Sequence, residues 1–192
     1  MPVPRPDYIS GQYYHIYNRG AHQKPIFQEP ENYLFVLRKI KHYSSQFNLT
    51  LIAYCLMPSH FHFLIRQDDE HPAGLLPQRV FNSYTKAYNK LYQHSDTLFQ
   101  SAYRVKTVQT TAHLLHLCRY IHGNPVIHGY VTGPADWPYS NYLEFIGERQ
   151  GTLYDPQFVI DIFGSAAAYR TFIYEDLLSR NLPEEIRKYL EE

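Results

Sequence analysis

His60 and His62 are separated by one residue in the run His60-Phe-His-Phe-Leu-Ile-Arg66. Side chains alternate along an extended chain, so both imidazoles fall on one face of a strand, with Phe61 and Phe63 on the other. Such a pair is either a two-point ligand for a metal ion or two surface histidines on a half-exposed strand. A second polar set lies further along. His113, His116, Tyr120 and Asn124 recur at helical spacing and form one polar stripe, beside an apolar stripe of Leu114, Leu117, Cys118 and Ile121. A helix built this way rests on a sheet and carries a phenol and an amide one turn apart. Asn124 precedes Pro125, and an asparagine in that position often does no more than end a helix.

The surrounding sequence supplies elements to hold these groups. Gln12 to Asn18 is rich in β-formers and stops at Arg19-Gly20, which predicts a strand. After Pro30, Tyr33, Leu34, Leu37 and Ile40 have helical spacing. Leu49–Met57 is a continuous apolar run, broken at Pro58-Ser59, and followed by the alternating run from His60, which predicts two antiparallel strands. From Pro72 to Tyr92, Leu75, Val80, Phe81, Tyr84, Tyr88 and Leu91 predict a second helix with Lys86 and Lys90 on its open side. Phe99 to Val108 reads as a fourth strand, and a helix capped at Thr110 or Thr111 reads on to Gly123. The order is βαββαβ plus a helix, an α+β ferredoxin-like antiparallel sheet with helices. Residues 1–130 form the expected catalytic domain. Residues 131–192 form an acidic, mostly helical C-terminal extension, with helices expected around 156–163, 166–179 and 183–191.

Composition sets the outer bounds. The 192 residues are 44% hydrophobic and 19% charged, which excludes disordered and fibrous classes. Cys55 and Cys118 lack any CxxC spacing, which argues against a disulfide scaffold or a cysteine-based zinc site. The N-terminal residues Met-Pro-Val-Pro-Arg-Pro-Asp lack the apolar core of a signal peptide, and no run approaches a membrane span, so a soluble protein of the reducing cytoplasm is expected. Net charge is zero, but residues 1–129 hold 13 Lys and Arg against 7 Asp and Glu, while 130–192 hold 5 against 11. All 11 histidines lie in the first part, and 19 tyrosines are present. Aromatic rings interleaved with positive charge suit stacking on unpaired bases beside phosphates, although core packing also consumes aromatics.

Four segments carry a resemblance. Tyr14-His-Ile-Tyr-Asn-Arg-Gly20, Ala53-Tyr-Cys-Leu-Met-Pro-Ser-His-Phe-His62, Leu98-Phe-Gln-Ser-Ala-Tyr-Arg104 and Arg119-Tyr-Ile-His-Gly-Asn-Pro-Val126 look like the motifs of the REP-associated tyrosine transposases. These are the chromosomal branch of the single-tyrosine insertion-sequence transposases, within the HUH (His-hydrophobe-His) endonucleases. The resemblance covers about residues 11–145, including Trp137-Pro-Tyr-Ser140. It implies that His60 and His62 bind a divalent metal, Mg²⁺ or Mn²⁺, that Asn124 completes the site where relatives in mobile elements tend to carry Gln, and that Tyr120 is the nucleophile. It implies cleavage and strand transfer of single-stranded DNA at hairpins such as repeated extragenic palindromes (REP), through a 5′-phosphotyrosine and a free 3′-OH. No nucleotide cofactor is required, because the covalent bond conserves the phosphodiester energy. The sequence leaves the oligomeric state open.

Among the other residues, Arg19, Gln100, Tyr103, Arg104 and Lys106 are candidate DNA contacts, the cations for phosphates and the ring for stacking. Lys86 and Lys90 form either a phosphate-contacting face or a solvated one. His15 either reaches the active site or is a satisfied strand histidine. Tyr84 and Tyr88 compete with Tyr120 as nucleophiles but lack an amide four residues on. The rival reading is a domesticated hairpin-DNA-binding protein without turnover. A replication or conjugation initiator would normally bring a further enzymatic domain, for which this length leaves no room.

Overall fold

The computed structural model describes residues 5–179. Four strands, β1 (Tyr13–Arg19), β2 (Leu49–Met57), β3 (His60–Gln67) and β4 (Arg104–Val108), form one sheet in the order β2-β3-β1-β4, with every neighbouring pair antiparallel. Helices α1 (Pro30–Gln46) and α2 (Leu75–Tyr92) follow β1 and β3, and α3 (Thr111–Ile127) follows β4. The expected βαββαβ arrangement is what the chain adopts.

The two sheet faces differ in chemistry because each strand alternates. Tyr14, Ile16, Tyr54, Leu56, Phe61, Phe63 and Ile65 turn toward α1 and α2, where Tyr33, Val36, Ile40, Leu76, Val80, Phe81 and Tyr84 close a core. The other face presents Ala53, Cys55, Met57 and Leu64 to Leu114, Leu117, Cys118 and Ile121 of α3. Each large apolar side chain buried in this way contributes about 1.5–3 kcal/mol. His15 and His62 lie on that second face and are buried as well, so α3 meets the sheet partly through polar side chains.

Two boundaries and one element differ from the sequence reading. The fourth strand begins at Arg104, not Phe99; residues 99–103 cross to it as a loop, touching Gly20 by a single bridge at Phe99. Helix α3 runs past Gly123 to Ile127 with Pro125 inside it. An interior proline removes one helical hydrogen bond and crowds the carbonyl four residues back, but Pro125 lies in the last turn and the chain closes directly after it, as the His128 N–H donates to the Asn124 carbonyl and the Tyr130 N–H to that of Pro125. A short helix α4 (Tyr142–Phe145) was not expected. Helices α5 (Pro156–Phe163) and α6 (Ala166–Ser179) fall where expected, while the helix expected at 183–191 lies outside the described residues.

The segment 137–141 seals the outer edge of β2. The Leu56 N–H donates to the Tyr139 carbonyl, Ser140 bridges Cys55, and the Trp137 Nε1–H donates to the Leu56 carbonyl. Tyr139 then stacks on Tyr33 of α1 with ring centroids 3.8 Å apart. An edge strand is thereby covered. No helix among the described residues is long and apolar enough to cross a membrane.

Candidate active site

The local sequence fixes where the polar groups point. Strand β3 sets His60 opposite Met57 and His62 opposite Cys55 on one side, and opposite Arg19 and Tyr17 on the other, so both imidazoles stand on the α3 face. Helix α3 brings Tyr120 and Asn124 down onto them. His60 Nε2 lies 2.8 Å from Asn124 Oδ1, with Nε2–H donating to the amide oxygen. His60 Nδ1 lies 3.2 Å from Ser59 Oγ. The Tyr120 ring stands edge-on to His62, centroids 5.3 Å apart and planes at 83°. His62 Nδ1 meets His15 Nε2 at 3.0 Å. These groups border an open cleft of about 900 Å³ whose wall includes His15, Tyr17, His60, His62, Tyr120 and His128.

Burial controls the protonation of this set. His62 is held well below the ordinary imidazole range, first by desolvation and then by its neighbours His15, His60 and His128. His60 is lowered by desolvation, with its hydrogen bond to Asn124 acting the other way. His15 is lowered to about 3 by burial and by Lys106, its cross-strand neighbour. All three rings are therefore neutral at pH 7, and each keeps a nitrogen lone pair. The Tyr120 phenol is raised by desolvation, an effect the nearby Asn124 amide partly offsets. A buried phenol needs help to lose its proton.

The donor set suits the divalent cation that the resemblance implies. Two cis ligands of an octahedral ion stand about 3 Å apart, so His60 Nε2 and Asn124 Oδ1 are already at ligand spacing. Asn124 is fully buried, with its Oδ1 on His60 and its amide beside the Tyr120 phenol, so every polar contact its side chain makes is to a group of the site. Ser59 Oγ can accept from Nδ1–H of His60 when the Nε2 lone pair is engaged. No group of three or more His, Cys, Asp or Glu able to hold a metal occurs among the described residues; the candidate set is completed by a neutral amide. Without a carboxylate such a set binds hard cations weakly, and a phosphate would supply the missing negative charge.

The remaining expected residues divide. Arg19, Gln100 and Arg104 border the cleft with His15; the Arg19 Nε–H donates to Gln100 Oε1, and the Gln100 N–H to the Arg19 carbonyl at 3.0 Å. Lys106 is on the cleft face of β4, opposite His15. Tyr103 is not in the cleft: it packs with the α1/α2 core, and its hydroxyl donates to the Gly74 carbonyl at 3.1 Å. Period-two alternation with Arg104 and Lys106 places it there. Lys86 and Lys90 are exposed on α2, on the opposite side of the sheet. Tyr84 and Tyr88 are buried in that far core, away from both histidines. His113 and His116 do not border the cleft; His116 Nδ1 instead meets the guanidinium of Arg119 at 2.7 Å.

Two groups escaped the sequence reading. His128 stands 5.0 Å from the His60 ring, and Tyr17 stacks on both His15 and His62 at 4.7 and 5.8 Å. Signals existed: His128 continues the Tyr120/Asn124 stripe at the same spacing, and Tyr17 follows His15 by two on a strand. Gly20 has its own reason, since a Cβ there would collide with the Lys24 carbonyl.

A ferredoxin-like sheet carrying paired histidines beneath a tyrosine-bearing helix is the architecture of a single-tyrosine HUH protein, and the chain belongs to the IS200-like transposase family, whose model matches residues 8–124. A REP-associated tyrosine transposase of Haemophilus influenzae is 28% identical over 106 residues, 47% of this chain and 57% of that protein. The match thus spans little more than half of that relative. A solved structure of a REP-associated tyrosine transposase bound to a REP hairpin superposes with a TM-score of 0.66 at 18% identity, covering 81% of this chain and 94% of that one; at this identity the likeness concerns the fold.

Proposed function

We propose that this protein cleaves and rejoins single-stranded DNA at the foot of foldback hairpins, REP-like palindromes among them, with Tyr120 as the nucleophile. One observation carries the reading: Tyr120 stands edge-on to His62 on the same helix whose Asn124 reaches His60, so the nucleophile and both histidines face one cleft with the amide buried behind His60. The match to a hairpin-bound relative supports the choice of substrate.

In this mechanism the Tyr120 oxygen attacks the phosphorus in line, the new O–P bond forms, and the bond from phosphorus to the 3′ oxygen breaks. The phenol proton is lost and the departing 3′ oxygen gains one, leaving a 5′-phosphotyrosine and a 3′-OH. Attack by the 3′-OH of another strand runs the same step backwards. His60, His62 and Asn124 would hold a divalent cation, which would supply Lewis-acid stabilisation of the charge developing on the phosphate. The Asn124 amide favours the phenolate of Tyr120, and the apolar bed of α3 keeps the phenol at a fixed height over the sheet. Arg19 and Arg104, at the open side of the cleft, hold the strand by its phosphates.

Labelled single-stranded oligonucleotides that fold into REP-like hairpins, drawn from any inverted repeats found beside the gene, test this directly. The wild-type protein is expected to become covalently attached to the 5′ end created by the cut, and Tyr120→Phe to lose the adduct while retaining hairpin binding. Tight binding without any adduct would assign the chain to the domesticated, non-cleaving class.

A further inference from the structure

His15 is the one polar side chain that central strand β1 buries fully on the α3 face. Its cross-strand neighbours on that face are Leu64 of β3, which is apolar, and Lys106 of β4, which disfavours a second positive charge, and a neutral imidazole buried there sacrifices hydration unless it serves a partner. That partner is His62, at 3.0 Å between His15 Nε2 and His62 Nδ1. The rings are nearly parallel, 19° apart, and Tyr17 stacks on both, so neither can turn over without disturbing the others. Strand β1 is hydrogen-bonded to β3 on one side and to β4 on the other, which makes His15 a rigid post.

We propose that His15 is a positioning residue which accepts the Nδ1–H of His62 and so keeps the lone pair on His62 Nε2, the nitrogen left to face the cleft. A neutral imidazole has one N–H, and the hydrogen bond at one nitrogen decides which nitrogen can act as a ligand. With the opposite polarity, His15 donating to His62 Nδ1, His62 would present an N–H to the cleft and bind no cation there. His60 has Ser59 Oγ for this duty; on the His62 side, the duty falls to His15. The inference rests on the cation-binding reading above, but the tautomer itself can be read with neither metal nor DNA present.

The experiment uses the full chain, ¹⁵N-labelled at histidine, with long-range ¹H–¹⁵N correlations recorded at neutral pH without metal. His62 is expected to be protonated at Nδ1 in the wild type and in His15→Gln, whose side-chain oxygen can accept the same proton, and to shift toward the Nε2–H form in His15→Phe. Mn²⁺ binding, followed by its electron paramagnetic resonance signal, should weaken about 10–100-fold in His15→Phe and stay within a few-fold of wild type in His15→Gln. An Nε2–H tautomer at His62 in the wild type overturns the proposal, and this result needs no variant to fold. So does an unchanged tautomer with unchanged Mn²⁺ affinity in His15→Phe. If the wild type shows the Nδ1–H tautomer yet binds no Mn²⁺, the cation-binding reading fails while the ring-orienting role of His15 stands.

Discussion

At the scale of single residues, the candidate triad is unequal, and the inequality is testable. His60 and His62 are nitrogen donors kept neutral by burial, and β3 holds them in one register that neither His15 nor His128, borne by other parts of the chain, shares. Asn124 contributes one neutral oxygen, which a water can replace. His60→Ala and His62→Ala are therefore each expected to reduce strand cleavage by at least two orders of magnitude, with excess EDTA reproducing the effect on the wild-type protein, whereas Asn124→Ala should retain measurable cleavage in raised Mn²⁺. Gel quantification of the cut strand across a Mn²⁺ titration reads all three; full cleavage in excess EDTA would remove the cation from the mechanism. The histidine pair was legible because alternation on a strand is rigid geometry. Asn124 was ambiguous because Asn-Pro is also a helix terminator, and only tertiary contact shows the helix running through it.

At the scale of elements, α3 is held from both sides. Its lower side carries Tyr120 and Asn124. Two residues after Tyr120, buried His122 joins the helix to the C-terminal segment: its Nε2–H donates to Asn141 Oδ1 at 2.8 Å, and its Nδ1 accepts from the Tyr169 hydroxyl at 2.6 Å. Asn141 also accepts the Tyr54 N–H at 2.8 Å and donates from Nδ2 to the Ile52 carbonyl at 2.8 Å, tying β2 into the same network. Asn141→Ala would leave several buried groups unsatisfied, each at about 1–3 kcal/mol, so a loss of roughly 3 kcal/mol in urea unfolding is expected. The His122 pKa is lowered to about 4 by burial, against an ordinary value of 6.5. Because the folded value lies below the unfolded one, the stability tied to neutral His122 is complete above pH 6.5 and is lost as pH falls toward 4, up to about 3 kcal/mol. His122→Gln should be less stable at pH 7.5 but lose less over that window; equal pH slopes for the two proteins would show that His122 stays neutral in acid or is replaced by another group. The helical periods of α5 and α6 were readable beforehand. The network was not, since no local pattern announces that an asparagine at 141 will meet a histidine at 122.

For the whole molecule, the two faces of the sheet divide the positive charge between a surface at the cleft and one away from it. The excess of Lys and Arg over residues 1–129 identified a cationic part of the chain without saying which cations share a surface. In the fold, Arg19 and Arg104 border the cleft and Lys106 stands beside His15, while Lys86 and Lys90 ride on α2 behind the sheet. Sequence periodicity placed each residue on the correct side of its own element, but which side of the sheet an element covers depends on chain crossing, and here α2 crosses on the side away from the histidines. A strand lying in the cleft would therefore neutralise its phosphates on the first set alone. Every phosphate of single-stranded DNA that a cation ceases to neutralise lowers the slope of log K against log salt by about 0.7. Arg104→Ala is expected to weaken binding of a single-stranded hairpin oligonucleotide across sequences and to reduce that slope by about this amount, whereas Lys86→Ala and Lys90→Ala should leave both affinity and slope unchanged. Fluorescence anisotropy between roughly 50 and 300 mM salt measures both quantities. If the α2 lysines reduce the slope and Arg104 does not, the DNA runs over the back of the sheet, and the cleft holds only the nucleotide being cut.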